Sequence, residues 1–593
     1  MEIYQDFDLK DVTTFHLPVR ARRYVCYDSV EELLQALRDF GAGPLMAVGE
    51  GSNLLFACDY PGTLLRSRIC YINESWADGD KVIVTAGSGV SWDDFVSWCV
   101  ARGYYGVENL SYIPGTVGAS AVQNVGAYGV EAKDVIDSVT TVEVATGTMR
   151  RWSAAECSYG YRDSVFKRPG NVGRYIVTEV CYRLSRVPRF VLDYGPLREL
   201  AAQPSLTAAD VRERVIAIRR AKLPDPSETG SAGSFFKNPV VTREQYGMLC
   251  ARFGEIPHYD VPDGVKVPAG WLIEHAGMKG HILGGAQVYP LQSLVIVNRG
   301  DATPRDVLEL MGRVIGRVAM KYHILLRPEV NIIGRPSAMT LTFLGTGTST
   351  GVPQIGCDCA TCRSADPRDS RLRTSALLSV GHRSILIDCG PDFRSQMLAA
   401  GSPWVDTVLV THSHYDHVGG IDDLRPYCVE DDGIPVYCRA DVAADLRARL
   451  PYCFKEHPYP GVPKFDLRIV DGRPFDVGDG LTVTPLPVMH YKLPVIGFKI
   501  GSLAYITDAG VVPDETLRMI HGVDTLVVNA LRHTPHISHM NLSQALDVIK
   551  VVSPRVAYIT HLSHEMGLHA DVEPTLPPNV KIAYDGLTIE VPT

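Results

Sequence analysis

The sequence contains no run of about 18 apolar residues, so no membrane-spanning helix is expected. Its opening, MEIYQDFDLKDVTTFHL, has acids where an export signal has basic and then apolar residues, so no signal peptide is expected. Repeats at solenoid or propeller periods and low-complexity tracts are also missing. There is no surplus of positive charge. Lys and Arg number 58 against 67 Asp and Glu, a net charge of −9, which speaks against a general nucleic-acid binder. The 14 cysteines of these 593 residues, with no export signal, read as reduced cytosolic thiols, and any that cluster become metal candidates. A chain this long can bury sizeable cores without disulfides. G-x-G-x-x-G is absent, so no Rossmann dinucleotide site is expected.

What is present is a mixed α/β pattern, long enough for roughly four domains of about 150 residues each. DSVEELLQALRDFG predicts a helix with a Ser29/Glu32 capping box, a buried stripe of Leu33, Leu34, Leu37 and Phe40, and a stop at Gly41. TPRDVLELMGRVIGRVAMKYHI predicts a long helix with Pro304 in its first turn. After Met339 the rhythm changes. Short apolar strands each end in an Asp or a His: SILID at Asp388, TVLVTH at His412, LTVTPLPVMH at His490, LAYITD at Asp508 and RVAYITH at His561. Such strand ends are where a rigid sheet can gather functional groups in one place.

In the first half, VGEGSNLLF (48–56) and IPGTVGASAVQNVGAYG (113–129) are rich in small residues, which let backbone N–H groups approach a ligand closely. Either stretch alone also suits an ordinary tight turn. Read together with YGYRDSVFK, AKLPDP, GSAGSFFKNP and RPEVNIIG, in that order, they resemble the UDP-N-acetylenolpyruvoylglucosamine reductases, the MurB-type enzymes of peptidoglycan precursor synthesis. The resemblance covers about residues 1–336. It implies two FAD-binding lobes, a substrate lobe, and NADPH-dependent reduction of the enolpyruvyl group of a UDP-sugar, with non-covalent FAD. It assigns FAD contacts to Gly49, Gly51, Ser52, Asn53, Pro114, Gly115, Gly118, Asn124, Tyr128 and Gly129, and substrate or NADPH contacts to Tyr194, Lys222, Asn238 and Gln292.

Reduction of an enol ether conjugated to a carboxylate builds negative charge on the α-carbon and carboxylate, and requires a proton at that carbon. By the resemblance, Arg162 and Glu329 stabilise the charge and Ser234 delivers the proton. Arginine suits the task through its permanent charge and bidentate fork, whereas Glu329 helps an anion only while carrying a proton. A flavin oxidase of the same broad superfamily is the rival reading.

In the second half, THSHYDHVGG (411–420) is H-x-H-x-D-H, a set of imidazoles and a carboxylate suited to Zn²⁺ or Mn²⁺. It resembles the metallo-β-lactamase fold, an αββα sandwich, over about residues 339–593. The resemblance assigns His412, His414 and His490 to one metal, Asp416, His417 and His561 to a second, and Asp508 as the bridge, with Asp388 orienting a ligand histidine. Two such ions about 3.5–4 Å apart can stabilise an in-line displacement at phosphorus. GCDCATCRS places Cys357, Cys359 and Cys362 as a structural Zn site lacking one ligand. This insert resembles the phosphoribosyl cyclic-phosphate phosphodiesterase subgroup, which implies His564 as the fourth ligand and His539 as a phosphate-contacting or proton-donating residue.

The expected architecture is therefore an α/β (α+β) multidomain chain: FAD-binding lobes over 1–222, a substrate lobe over 223–336, and an αββα metallohydrolase over 339–593. Gly334–Ala338 is the joint of a fusion. The second enzyme is expected to hydrolyse a small, cyclic phosphodiester. A ribonuclease Z-like processor and a thioester or lactone hydrolase are the alternatives, the former disfavoured by net acidity and the lack of a long basic arm. A cytoplasmic location is expected.

Overall fold

The computed structural model describes residues 1–593 except 77–78, 204, 430–432, 458 and 460. The chain divides into two compact units: Met1–Val307 with Arg327–Arg335, and Leu308–Leu326 with Pro336–Thr593. Among the described residues, no helix is long and apolar enough to cross a membrane.

The first unit opens with a four-stranded sheet in the order Glu2–Asp8, Arg20–Tyr27, Tyr60–Ser67, Leu45–Val48; all neighbours but the first pair are parallel. Helix Val30–Phe40 covers it, burying Leu33, Ala36 and Leu37, while Leu34 and Phe40 are only half-buried. Ser29 caps this helix by accepting the Glu32 N–H, but Glu32 Oε2 accepts the N–H of Asp28 in place of that of Ser29. Gly41 ends it in a right-handed conformation, so the stop needs no left-handed glycine. A five-stranded antiparallel sheet follows, in the order Met149–Ser153, Ile136–Glu143, Tyr175–Ser185, Lys81–Gly87, Ile72–Trp76. Trp92, Phe95 and Tyr182 pack its core, with the Phe95 and Tyr182 rings 4.4 Å apart. A third region carries a four-stranded sheet (Gly230–Ser234, Val295–Asn298, Ala286–Val288, Ile282–Leu283) and a three-stranded one (Val240–Val241, Gly264–Lys266, Tyr259–Val261). Strand Asn331–Ile333 returns to pair in parallel with Leu54–Phe56, so the end of the first unit lies against its first glycine turn.

The second unit is the expected αββα sandwich. One seven-stranded sheet runs Phe465–Ile469, Ile434–Cys438, Thr407–Leu409, Arg383–Ile387, Ser375–Val380, Ala338–Gly345, Thr588–Pro592. The other runs Phe475–Asp476, Thr482–His490, Leu493–Ile500, Leu503–Tyr505, Thr525–Asn529, Val556–Thr560, Val580–Ile582. Their inner faces meet through Leu341, Phe343, Ile387, Phe498 and Tyr505, all fully buried. Helices Phe393–Ala399 and Ala440–Arg449 cover one outer face and Leu542–Val552 the other. Helix Leu542–Val552 is started by a capping box between Asn541 and Gln544.

Candidate functional sites

The first glycine turn lines a cavity of about 350 Å³ whose walls include Val48–Leu54, Ser88, Thr116, Gly118, Ala119, Gln123, Phe166, Lys167 and Asn331. The small residues there are required by space. A Cβ on Gly49 would lie 3.0 Å from Thr116 Oγ1, one on Gly118 would lie 2.8 Å from Ser88 Cβ, and Gly51, at φ +62, would press on Thr13. Two hydrogen bonds tie the glycine turns together: Ser52 Oγ donates to Pro114 O at 3.1 Å, and Gly115 N–H donates to Glu50 Oε2 at 2.7 Å. Burial raises the Glu50 carboxyl above its ordinary range. Of the residues expected to touch the cofactor, Gly49, Gly51, Ser52, Asn53 and Gly118 line the cavity. Pro114 and Gly115 hold the second turn against the first. Asn124 is wholly buried at a left-handed helix end, with its amide donating to Gly160 O and Glu131 Oε2. Tyr128 and Gly129 continue that turn at positive φ. A cavity formed where Gly49, Gly51 and Gly118 admit no Cβ, so that the glycine turns pack closely, fits a dinucleotide such as FAD.

Arg162 stands beside this cavity in a left-handed conformation, φ 55. Its Nε donates to Glu329 Oε1 at 2.8 Å, both side chains being mostly buried, and its guanidinium also donates to Gly126 O. Glu329 is fixed through its backbone: its N–H donates to Phe235 O at 2.9 Å, and its carbonyl accepts from Asn53 Nδ2 at 3.3 Å. The Glu329 segment thus lies directly against the strand ending in exposed Ser234 and against the first glycine turn. Tyr194, 40% exposed, stacks on Tyr259 with centroids 5.9 Å apart and meets Tyr128 edge-on. Asn238 Oδ1 accepts the Ala269 N–H at 2.9 Å, Gln292 Oε1 accepts the Leu294 N–H at 3.4 Å, and Lys222 is exposed at the end of helix Ala208–Lys222.

In the second unit the five strand ends converge. Asp416, His417, Asp508 and His561 form one group whose candidate ligand atoms all lie within 4.8 Å of one another; His412, His414 and Asp508 form a second, and His490, Asp508 and His539 a third. Asp508 belongs to all three. The surroundings aim the imidazoles. His417 Nδ1–H donates to Asp388 Oδ2 at 2.7 Å, which turns Nε2 to 3.2 Å from Asp508 Oδ1. Thr411 gives its proton to Asp388 and so accepts from His412 Nδ1–H at 3.0 Å. His490 Nδ1–H donates to Ser538 O at 3.0 Å. The Nε2 atoms of His412 and His417 are buried with no hydrogen-bond partner, which suits them as ligand atoms. His561 Nδ1 lies 3.1 Å from Asp508 Oδ1, with the Thr374 and Thr348 hydroxyls flanking the ring. Burial drives His412 well below the usual imidazole range. Burial also opposes charge on His417, yet Asp508 and Asp388 hold it well above that range. His539, its ring 4.5 Å from His490 and 4.9 Å from His561, is lowered to about 3 by burial and neighbouring imidazoles. The donor set fits two divalent ions sharing Asp508.

Cys357, Cys359, Cys362 and His564 also converge within 4.8 Å. His564 Nδ1 is 3.4 Å from both Cys357 Sγ and Cys359 Sγ, and backbone N–H groups of Gln354 and Cys362 donate to Cys362 Sγ and Cys359 Sγ. Those contacts, the Cys362 N–H first, lower the Cys359 thiol to about 6. The set suits a tetrahedral structural Zn²⁺.

Sequence reasoning missed the supporting residues: Glu50, Gln123 and Lys167 around the cavity, and Thr348, Thr374, Thr411 and Ser538 around the histidines. Lys167, Glu50, Gln123 and Thr411 sit inside the motif stretches YGYRDSVFK, VGEGSNLLF, IPGTVGASAVQNVGAYG and THSHYDHVGG, which were the available signal; Thr348, Thr374 and Ser538 have none in a single sequence.

Three family models match the chain: an FAD binding domain over 21–153, the C-terminal domain of UDP-N-acetylenolpyruvoylglucosamine reductase over 225–333, and a beta-lactamase superfamily domain over 383–562. The UDP-N-acetylenolpyruvoylglucosamine reductase of Bacteroides fragilis (strain YCH46) is 48% identical over 335 residues, 56% of this chain and 99% of that protein. The reductase of Porphyromonas gingivalis (strain ATCC 33277) is 44% identical over 338 residues, 56% of this chain and all of that protein. Among solved structures, a diphosphatase from the PhnP family is 35% identical, with a TM-score of 0.41, covering 43% of this chain and 99% of that one.

Proposed function

The chain belongs, through its N-terminal part, to the UDP-N-acetylenolpyruvoylglucosamine reductases, with a metallo-β-lactamase fold fused behind it, and from that premise we propose how each half works. In the first, a cytoplasmic reductase, the glycine cradle holds FAD, and NADPH is the reductant. Bound flavin, once reduced by NADPH, would supply the hydride. Arg162, kept in place by Glu329 and Gly126, faces the carboxylate of the enolpyruvyl group and stabilises the charge that develops there. Glu329 serves through this pair, its Oε1 accepting from Arg162 Nε at 2.8 Å. Ser234 gives the proton to the α-carbon. Tyr194, Lys222, Asn238 and Gln292 receive the nucleotide of the UDP-sugar or NADPH. The observation that carries this reading is the Arg162–Glu329 pair, held by the same backbone that builds the cofactor cradle.

The second half hydrolyses a small phosphodiester, cyclic in its natural form. His412, His414 and His490 would hold one ion, Asp416, His417 and His561 the other, and Asp508 would bridge them. The ions would supply Lewis acidity and an activated water. His539 meets the phosphate or protonates the leaving oxygen. The convergence of three ligand groups on Asp508 carries this reading. The experiment is turnover of bis-p-nitrophenyl phosphate with added Mn²⁺ or Zn²⁺. Turnover that His414→Ala abolishes supports it; no turnover of any diester at full metal occupancy contradicts it.

A further inference from the structure

Two residues on the wall of the flavin cavity have no part in the scheme above: Gln123 and Lys167. Lys167 Nζ donates to Gln123 Oε1 at 2.7 Å and to the carbonyl oxygen of Arg162 at 2.9 Å. An ammonium can only donate, so the Gln123 amide must turn its oxygen to Lys167 and its nitrogen away. That nitrogen is buried and has no hydrogen-bond partner, a rare condition for a donor and one that points to a missing acceptor. Lys167 makes no ion pair among the described residues, and burial lowers its pKa. The wall of the cavity therefore carries an ammonium with no direct ion pair, Asp163 and Glu329 acting on it only from a distance, beside an orphaned N–H pair. The same ammonium also steadies the Arg162 turn, whose left-handed backbone (φ 55) persists only where its surroundings hold it.

On the reading that this cavity holds FAD, we propose that Lys167 and Gln123 act as one donor unit that recognises an electron-rich, acceptor-bearing edge of the flavin ring and raises its reduction potential, while Lys167 positions Arg162. Two-electron reduction leaves more negative charge on the ring than the oxidised form carries. A fixed ammonium and an amide donor in a partly buried cavity wall favour the reduced form through that difference. The redox state of the cofactor and the placement of the arginine that serves the substrate thus depend on one side chain.

The test is the two-electron potential of the holoenzyme, measured by dye equilibration in wild type, Lys167→Met, Lys167→Arg and Gln123→Leu. Lys167→Met is expected to shift the equilibrium at least tenfold toward oxidised flavin, a fall of about 30 mV. Lys167→Arg keeps the wild-type potential and the rate of flavin reoxidation by substrate, which Lys167→Met slows. Gln123→Leu lowers the potential less, and its effect is not additive with that of Lys167→Met. Where a variant holds FAD weakly, separate Kd values for oxidised and reduced FAD give the same shift by linkage. Equal losses of affinity for both forms, or an unchanged potential in Lys167→Met, would overturn the proposal. Wild-type protein that binds no FAD would instead overturn the reading beneath it.

Discussion

Ser234 ends its strand with an exposed hydroxyl that no group among the described residues engages, while Arg162 and Glu329 are mostly buried and paired. That contrast suits a residue waiting for substrate. Ser234→Ala is expected to leave reduction of the flavin by NADPH nearly intact and to slow its reoxidation by substrate about 10²–10³-fold; stopped-flow absorbance separates the two half-reactions. Cys359 gives a residue-scale test in the other half. Its folded pKa of about 6 lies below the thiol's usual value near 9. The thiolate is therefore favoured by the fold above pH 9, and that preference is lost as pH falls through about 6. In metal-free protein, alkylation of Cys359 by iodoacetamide should rise with a midpoint near pH 6 and not near 9, as peptide mass analysis can follow. At this scale the side-chain groups that converge were legible as candidates because His, Asp and Cys at close spacing carry their chemistry in their identity. Thr411, Thr374 and Gln123 were not, because their roles come from partners distant in sequence, such as Asp388 for Thr411.

At the scale of elements, function sits where strands stop. Asp388, Asp508 and His561 follow strands Arg383–Ile387, Leu503–Tyr505 and Val556–Thr560, and all three adopt positive φ, at 61, 58 and 58. A left-handed residue turns the chain sharply, so the side chain at the strand end faces the site and the next segment leads away. The run of strands ending in Asp or His was readable as a pattern of short apolar stretches; the left-handed step at each end was not, since it is a property of packing. The glycine turn shows the converse. A Cβ on Gly51, at φ +62, would lie 2.9 Å from Thr13 Cα, so neither strain nor space admits a side chain. Gly51→Ala is expected to cost about 1–2 kcal/mol from the backbone alone, with steric displacement added. The variant should retain less FAD and show a lower Tm than wild type, with its diester hydrolysis unchanged.

At the scale of the molecule, each catalytic apparatus is assembled from its own stretch of chain. The cavity is lined by residues between Tyr27 and Ile333, and the metal groups by residues between Cys357 and His564. Motif order across RPEVNIIG and the strand starting at Ala338 made this division visible in the sequence, because a second set of strand-end ligands begins only after a complete first set of reductase motifs. Among the described residues the cavity lining and the candidate metal groups share no residue, so removing metal should not remove colour. The most direct measurement is therefore made on one purified sample: its visible spectrum and its metal content, before and after treatment with a chelator. A flavin spectrum with roughly three metals per chain is expected, and chelation should strip diester hydrolysis while leaving the flavin bound and reducible by NADPH. Colourless protein that takes up no added FAD, or that holds no divalent metal under any loading condition, would contradict it.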